Sequence, residues 1–461
     1  MGTIPLTQTH LDAFQSMVPA DRFSAGESVL NLHSRDQSRH PAARPEAVIW
    51  PVDTTEVVNI LRYANDHRIA VTCWGSGSSL EGNPIPRAGG VVLDFNRMNR
   101  ILEVREADFQ ADVEPGVIYQ DLNKALRSTG LFFPPDPGAR ATIGGMIANN
   151  ASGTKTVRYG STKQHVMRMS VVLPGGQVLE MGTRASKSSS GYDLLPLFVG
   201  SEGTLGVVVK ATLRLDPLPQ EMCAVIANFP DLQSASQAVF EIVRYGLNPA
   251  MLEMMATECV ALMNREKQLG LNPSPSLIME FHGATQTQLN DVLAMVTEIC
   301  QGLGCLNLSS GMGAREHQQL LEARHHLGEM IMRSHPDSDL FIVDVAVPIS
   351  AYPEMIRAAE AERAATGLNG YTFSHAGDGN VHFTLLGEKG NERQWELLYA
   401  VGDRMVTKAL ELGGTATGEH GVGIGKRRFM VQEHGEALAW MKTIKNLFDP
   451  AGILNPGKIF P

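Results

Sequence analysis

The apolar positions of this chain fall into two patterns that meet near residue 218. From residue 47 to 218, short apolar runs are separated by glycine turns, which predicts strands over 47–51, 69–74 and 91–95 and a helix over 54–67. Beyond Pro217-Leu-Pro219, strands alternate with amphipathic helices. The strands predicted there are 223–229, 251–255, 277–281 and 340–347, and the helices are 232–245, 288–302, 314–332 and one from Ser350. This second pattern predicts an α+β region.

Length and charge limit the classes of protein to consider. A chain of 461 residues is too long for one small core, and we expect a first domain over 1–218, a second over 219–412 and a returning segment over 413–461. The formal net charge of -10 argues against bulk attraction to nucleic acid or to an anionic membrane surface.

The cysteines and the N-terminus bear on location. The five cysteines include no CxxC pair and are odd in number, which favours a reducing compartment. The N-terminal stretch lacks the pattern of a secretory or transit peptide, and no run of 18 apolar residues occurs. The sequence therefore predicts a cytoplasmic protein without a transmembrane segment, with peripheral docking at a membrane left open.

Glycine-rich stretches occur at three places in the first region. Residues 75–82, Gly-Ser-Gly-Ser-Ser-Leu-Glu-Gly, have glycine spacing like a dinucleotide-binding loop, but Asn83-Pro84-Ile85-Pro86 forbids the helix that such a loop needs. An anion-binding nest of backbone N–H groups and a plain surface turn both remain open there. With residues 142–153 and 200–206, these small-residue stretches predict backbone packed against a large flat ligand.

Two histidines, His375 and His382, flank a turn in Ser-His-Ala-Gly-Asp-Gly-Asn-Val-His. If Asp378-Gly379 forms the two-residue turn that Asp-Gly favours, the two histidines lie directly opposite each other, with Cβ atoms about 4.5–5.5 Å apart. Glu419, in Thr-Gly-Glu-His-Gly-Val-Gly, is the third candidate ligand, and two His with one carboxylate suit Zn²⁺, Mn²⁺ or Fe²⁺. A hydrogen-bonded His pair and an exposed loop are the alternatives.

The motifs taken together resemble a known family. Thr-Ile-Gly-Gly with Asn-Asn-Ala-Ser-Gly, Gly-Ser-Glu-Gly-Thr-Leu-Gly, His-Ala-Gly-Asp-Gly-Asn-Val-His, Gly-Glu-His-Gly-Val-Gly and Asn-Pro-Gly-Lys follow one another as in FAD-linked oxidases of the vanillyl-alcohol oxidase type. Within it, the motifs resemble D-lactate dehydrogenases and the flavoprotein subunit of glycolate oxidase. The resemblance covers residue 28 to the C-terminus.

The resemblance implies an α+β protein with a two-subdomain FAD-binding module and an α+β, ferredoxin-like cap over the flavin. Some members attach FAD through a histidine at the position of Ser78, so this chain is expected to bind FAD noncovalently. The residues that the resemblance places around the flavin are Gly75, Ser76, Gly77, Ser78, Ser79, Pro135, Gly138, Thr142, Gly144, Gly145, Ser152, Gly153, Glu202, Gly206, Val207 and Asn455.

The resemblance also implies a reaction. His375, His382 and Glu419 match the family's metal ligands and His420 its catalytic base. We expect the metal to lower the pKa of the hydroxyl of a D-2-hydroxy acid, His420 to remove the proton, and hydride to pass to flavin. Arg324 is expected to bind the substrate carboxylate, with a helix-surface arginine as the alternative.

One position favours a small substrate. Family members that act on 2-hydroxyglutarate carry a lysine where Ile342 stands, and an apolar residue would leave a second carboxylate unpaired. D-lactate is therefore the expected substrate. Lys426-Arg427-Arg428 is interpreted as a solvated helix face rather than a partner site.

Several alternatives stay open at this point. A glycolate oxidase subunit and a D-2-hydroxyglutarate dehydrogenase are alternatives in the same class, and a flavin-free metal-dependent hydrolase is one from another class. The electron acceptor is open among a cytochrome, a quinone, an electron-transfer flavoprotein and an iron-sulfur subunit.

Overall fold

The computed structural model describes residues 4–310 and 314–461, so the first residues of the N-terminal stretch discussed above lie outside it. The described chain divides into two units. Unit 1 comprises the residues up to 152 together with 160–218 and 419–461, and unit 2 comprises 153–159 and 219–418. The return to unit 1 comes at Glu419 rather than at residue 413, because the preceding residues are bound to unit 2: Thr415 N–H donates to the Ala346 carbonyl.

Unit 1 contains a mixed sheet of order β1-β2-β4-β3, an antiparallel sheet of order β5-β6-β10-β8-β9, and the pair β11-β7. Its strands are β1 (Phe23–Ser24), β2 (Ala47–Ile49), β3 (Val71–Trp74), β4 (Val91–Asp94), β5 (Ile101–Arg105), β6 (Gln110–Val113), β7 (Leu131–Phe132), β8 (Val166–Val172), β9 (Val178–Gly182), β10 (Val207–Arg214) and β11 (Asp216–Pro217). The predicted strands over 47–51, 69–74 and 91–95 are confirmed as β2, β3 and β4, each one to two residues shorter.

The helices of unit 1 cover these sheets. They are α1 (Gln8–Ser16), α2 (Glu27–Leu32), α3 (Thr54–Asp66), α4 (Tyr119–Ala125), α5 (Ile143–Asn149), α7 (Thr162–His165), α8 (Leu195–Phe198), α16 (Met430–His434) and α17 (Ala437–Phe448). Helix α3 begins because the Asp53 carboxylate accepts from Glu56 N–H, and it buries Val57, Ile60 and Leu61 in the core. In the described chain no helix begins directly after residues 75–82, in agreement with the prediction made from Pro84 and Pro86.

Unit 2 is built on an antiparallel sheet of order β15-β12-β14-β13-β17-β18-β16. Its strands are β12 (Glu221–Asn228), β13 (Met251–Met255), β14 (Ser276–Gly283), β15 (Asn307–Ser310), β16 (Ser338–Ala346), β17 (Gly370–His375) and β18 (Asn380–Glu388). Its helices are α6 (Thr156–Tyr159), α9 (Leu232–Arg244), α10 (Thr257–Lys267), α11 (Gln286–Gly302), α12 (Ala314–His325), α13 (Leu327–Ser334), α14 (Tyr352–Thr366) and α15 (Glu392–Glu411). The predicted α+β region is confirmed.

The single helix predicted over 314–332 is wrong, because the chain forms α12 and α13 with a break at His326. His326 has φ -90° and ψ 11°, which leaves the helical region. The i to i−4 bonds continue on either side, from His326 N–H to Glu322 and from Met330 N–H to His326, so the break is local.

The two faces of the unit 2 sheet differ in chemistry. Residues directly opposite on neighbouring strands share a face, and residues two apart on one strand do as well. The apolar face packs under helices: Gly402 of α15 lies against Phe341 and Val343, and Tyr352 of α14 hydrogen-bonds Ser374 at 2.6 Å. The pairing registers place the following side chains together on the other face: Glu253, Glu280, His282, Ile342, Asp344, His375, His382 and Thr384. We call this the polar face.

The predicted register of the β17–β18 hairpin is wrong by two residues. His375 pairs with Asn380 and Phe373 pairs with His382, because residues 376–378 form a short 3-10 turn and Gly379 takes a φ of 70°. The loop is therefore longer than the two-residue turn expected from Asp-Gly. Because the shift is even, His375 and His382 still share the polar face, now as diagonal neighbours rather than directly opposed.

Candidate active site

A cleft in unit 1 brings the glycine-rich stretches together. Residues 73–80 begin at the end of strand β3, residues 141–152 span helix α5, and residues 201–208 lead into β10. Most of each stretch lines the same cleft. The lining also includes Asn83 and Phe198, and two candidate reactive residues, Glu419 and His420. The small-residue stretches predicted to pack against one flat ligand thus converge on one cavity.

Glycine is required at two walls of this cleft by close approach of other atoms. A Cβ added at Gly75 would lie 2.3 Å from Thr142 Oγ1, whose oxygen accepts from Gly145 N–H to begin α5. A Cβ at Gly144 would lie 2.8 Å from the Pro115 Cβ. A side chain at Gly75 would therefore disturb the N-cap of α5, and one at Gly144 would clash with Pro115.

Most residues predicted around the flavin line this cleft. They are Gly75, Ser76, Gly77, Ser78, Ser79, Thr142, Gly144, Gly145, Ser152, Glu202, Gly206, Val207 and Asn455. Pro135 and Gly138 are not among the lining residues of the described chain, where Pro137 and Ala139 stand instead. Gly153 belongs to unit 2, and its N–H donates to Thr156 Oγ1 at the start of α6.

The side chains of Glu202 and Asn455 form hydrogen bonds with other groups of the protein. The Glu202 carboxylate accepts from Val422 N–H at 2.7 Å and from Gly423 N–H at 2.9 Å, and Asn455 donates to the Glu202 carbonyl at 2.8 Å. Burial raises the pKa of Glu202 to about 6, although these donors act in the opposite direction. Nearby, burial lowers the pKa of Lys458 to about 7 against the attraction of Glu202.

Two polar side chains elsewhere in unit 1 donate hydrogen bonds to the loop of Glu419 and His420. Ser152 Oγ donates to Glu419 Oε2 at 2.9 Å, and Asn149 Nδ2 donates to the His420 carbonyl at 3.3 Å. Both donors come from the stretch that lines the cleft. A candidate ligand and a candidate base are thus fixed at the cleft by neighbouring polar side chains.

The polar face of unit 2 brings His375 and His382 together, with ring centroids 5.1 Å apart. His375 Nδ1 lies 2.7 Å from Glu253 Oε1, and both groups are buried. Since a carboxylate only accepts, Nδ1 carries a proton, and in the neutral form of this imidazole the lone pair is on Nε2. Burial would raise the pKa of Glu253, but the charges of His375 and Arg324 and the His375 hydrogen bond outweigh it and lower the pKa below its ordinary value.

Arg324 lies on α12 and is 6% exposed, so the alternative of a helix-surface arginine is wrong. Its Nη2 lies 2.6 Å from Glu253 Oε2, and its guanidinium lies over the Phe373 ring at 4.8 Å. Arg324, Glu253 and His375 therefore form one buried charged chain on the polar face.

Asp344 connects His382 to the end of unit 2. It is fully buried, stands opposite His382 on β16, and has an oxygen 3.5 Å from His382 Nε2. The other oxygen accepts from Gly418 N–H and from Thr417 Oγ1, both at 2.9 Å. Gly418 is thereby fixed on Asp344, and the Cα atom of Glu419 lies about 3.8 Å from that of Gly418.

Sequence reasoning missed Glu253 and Asp344. Each is a lone carboxylate inside an otherwise apolar strand, Met-Leu-Glu-Met-Met and Val-Asp-Val, and that pattern is a usable signal because buried carboxylates need partners. The interpretation of Lys426-Arg427-Arg428 as a solvated helix face is wrong at Lys426, which is buried at the start of the short 3-10 turn Arg427–Phe429.

Across the described ranges, no helix is long and apolar enough to cross a membrane.

The chain matches two protein families along most of its length. Residues 45–182 match the FAD binding domain, and residues 218–459 match the C-terminal domain of FAD linked oxidases. It is 34% identical over 453 residues to a probable mitochondrial D-lactate dehydrogenase of Danio rerio, covering 97% of this chain and 91% of that protein. It is 36% identical over 434 residues to glycolate oxidase subunit GlcD of Bacillus subtilis (strain 168), covering 93% of this chain and 92% of that protein.

Solved structures with the same fold are flavoproteins of low sequence identity. The 4-ethylphenol oxidase from Gulosibacter chungangensis aligns with a TM-score of 0.81 at 19% identity, covering 100% of this chain and 99% of that one. The p-cresol methylhydroxylase aligns with a TM-score of 0.73 at 18% identity, covering 99% and 98%. The flavin-free hydrolase considered from the sequence is therefore wrong, and the chain belongs to the FAD-linked oxidases of the vanillyl-alcohol oxidase type and is an FAD-linked oxidoreductase.

Proposed function

We propose that this enzyme oxidises a short D-2-hydroxy acid, D-lactate to pyruvate in the first place, with noncovalent FAD and one divalent metal ion. The observation that carries the proposal is the buried chain Arg324–Glu253–His375, next to His382 on the polar face. The relatives named as D-lactate dehydrogenases support the choice of substrate class. A cytoplasmic location stays a prediction.

The donor set fits a divalent metal. His375 is oriented through Nδ1 by a buried carboxylate, which is the usual outer partner of a metal-binding histidine. His382 lies beside it with Asp344 as a second carboxylate neighbour. Glu419 follows Gly418, which is anchored on that same Asp344. We assign His375, His382 and Glu419 as the ligands, and Zn²⁺, Mn²⁺ and Fe²⁺ all suit two imidazoles and a carboxylate.

The residues of the chain supply binding and proton transfer. When bound, the flavin supplies a hydride acceptor and the metal a Lewis acid that lowers the pKa of the substrate hydroxyl. His420 takes the hydroxyl proton as general base. Arg324 binds the substrate carboxylate through the N–H groups that Glu253 does not take, since its Nε has no hydrogen-bond partner in the described chain. Ser152 orients Glu419 by donating to Oε2.

Ile342 supports a monocarboxylate substrate. It is partly buried on the polar face, opposite Thr384 and two residues from Asp344. No cationic side chain stands at this position to pair with a second carboxylate, and an unpaired buried carboxylate costs several kcal/mol. D-lactate and D-2-hydroxybutyrate are therefore preferred over D-2-hydroxyglutarate.

Oxidation of glycolate as a subunit of a larger complex is the second candidate, because the Bacillus subtilis relative is named as a glycolate oxidase subunit. In that case an iron-sulfur subunit takes the electrons. A stand-alone dehydrogenase instead passes them to a cytochrome, a quinone or an electron-transfer flavoprotein.

Anaerobic bleaching of the flavin tests the proposal directly. Purified yellow protein is mixed with D-lactate, D-2-hydroxybutyrate, glycolate or D-2-hydroxyglutarate, and the loss of visible flavin absorbance is followed. We expect the first two to bleach it fastest, and Ile342→Lys to move the preference towards 2-hydroxyglutarate. Faster bleaching of the unmodified enzyme by 2-hydroxyglutarate than by lactate would refute the argument from Ile342, and fastest bleaching by glycolate would favour the second candidate.

A further inference from the structure

Glu202 is a buried carboxylate that the proposed mechanism does not use. It lines the cleft, but its oxygens face protein donors: Asn83 Nδ2 at 2.8 Å, Val422 N–H at 2.7 Å and Gly423 N–H at 2.9 Å. The residue is 4% exposed and has a φ of 51°, a backbone conformation that an L side chain seldom adopts. A strained and desolvated glutamate that serves no purpose would be a costly arrangement.

Two of the three donors on Glu202 belong to the loop that carries the candidate base. Val422 and Gly423 follow His420 by two and three residues. Their N–H groups are bound to the carboxylate, so the loop backbone is held on the Glu202 side. Gly421 is required there, because a Cβ would lie 3.0 Å from Glu202 Oε1 and 2.8 Å from Asn83 Nδ2. The glycine spacing of this motif thus matches a loop wrapped around a fixed anion.

We propose that Glu202 is a positioning residue that holds the 419–423 loop, and through it the imidazole of His420, in the reactive geometry. This rests on the proposed function, in which His420 is the base. Glu202 is therefore assigned to the protein's own loop rather than to the flavin.

The size of the effect follows from the bonds that would be lost. Hydrogen bonds to a charged group are stronger than those between neutral groups, and a displacement of about 1 Å at a catalytic group can cost about a hundred-fold in rate. Lys458, the amine near Glu202, donates to the Ile85 carbonyl and to Asn455 Oδ1, so it does not replace the bonds to the loop.

The test compares Glu202→Gln with Glu114→Gln in the FAD-loaded enzyme at pH 8. Glu114 is a matched control: it is a buried carboxylate of unit 1 that also accepts from a backbone N–H and a side chain, here both of Arg100. We expect Glu202→Gln to lower kcat for D-lactate about ten- to hundred-fold, to leave the Kd for FAD within about twofold, and to speed amide exchange of a peptide spanning 419–425. Glu114→Gln should change none of these.

The outcomes separate the two proposals. If the unmodified enzyme does not oxidise any of the hydroxy acids, the proposed function fails, while the amide exchange still reports whether Glu202 holds the loop. If Glu202→Gln loses FAD but keeps slow exchange at 419–425, the residue binds flavin and the inference is overturned. If Glu202→Gln does not fold, exchange in the unmodified enzyme decides, since rapid exchange at Val422 and Gly423 would overturn the inference and slow exchange would support it.

Discussion

Unit 1 and unit 2 prepare their sites by opposite means. The cleft of unit 1 is lined largely by glycine, serine, alanine and backbone, and its shape depends on close approach, as at Gly75 and Thr142. The polar face of unit 2 instead gathers buried carboxylates and imidazoles on neighbouring strands, and the Arg324 guanidinium of α12 pairs with Glu253. We therefore expect the cleft to select its ligand by fit and the polar face by charge and protonation. Substitutions in the two regions should fail in different ways.

The largest difference between effects on the two regions is expected from His382→Ala. Removing one imidazole should abolish tight metal binding and lower turnover roughly a thousand-fold or more, since a Lewis acid supplies several kcal/mol of stabilisation in the transition state. The visible flavin spectrum and the Kd for FAD should stay unchanged, because the described lining of the cleft proposed for FAD does not include this residue. Metal content after dialysis, flavin absorbance and anaerobic kcat are measured together. Retained turnover in metal-free protein would count against the metal role.

Gly75→Ala tests the opposite case, in which the cleft is altered and the candidate metal ligands are not. The added methyl group would lie 2.3 Å from Thr142 Oγ1, and overpacking of this kind costs about 1–3 kcal/mol, so the Kd for FAD should rise about ten- to hundred-fold. Metal binding should be kept. Gly175→Ala is the control, because nothing lies within 4 Å of its added Cβ. Equal FAD affinity in the two variants would show that the close approach at Gly75 does not shape the cofactor site.

Glu253→Gln tests whether charge tuning is specific to the metal pair. Loss of the carboxylate that orients His375 should weaken metal affinity about ten- to hundred-fold. Glu280→Gln is the matched control, because Glu280 forms an equivalent buried pair with His282 on the same polar face. Titration calorimetry with Zn²⁺ compares the two. The same loss in both variants would indicate general damage to the sheet rather than a specific role for Glu253.

The smallest effect is expected for Lys458, a buried lysine of unit 1. Burial lowers its pKa from 10.5 to about 7, so between these values the unfolded chain binds more protons than the folded one and stability rises with pH. From pH 7 to pH 9 the native protein should gain about 2 kcal/mol relative to Lys458→Met. Unfolding in urea at both pH values measures it, with exposed Lys442→Met as control. Parallel pH profiles for the native protein and Lys458→Met would contradict the lowered pKa.

The sequence predicted much of the fold because local signals agreed with it. The short apolar runs of the strands predicted before and after residue 218, and the prolines after residue 82, each act over a few residues, and the structure follows them. The hairpin register was predicted wrongly since Asp-Gly also fits a longer turn in which Gly379 alone takes a positive φ. Glu253 and Asp344 were missed because their partners come from β17, β18 and residues 417–418, which no local pattern connects to them.

The order of segments along the chain has a practical consequence for dissecting this enzyme. Unit 1 is assembled from three stretches, the last starting at Glu419. An N-terminal fragment ending at residue 218 would lack Ile453 and Leu454, which are fully buried beside β3, where Val71 N–H donates to the Ile453 carbonyl. Such a truncation would leave an apolar gap in the flavin-binding half. A separately expressed N-terminal portion should therefore be recovered folded only if the last 43 residues are grafted back onto it.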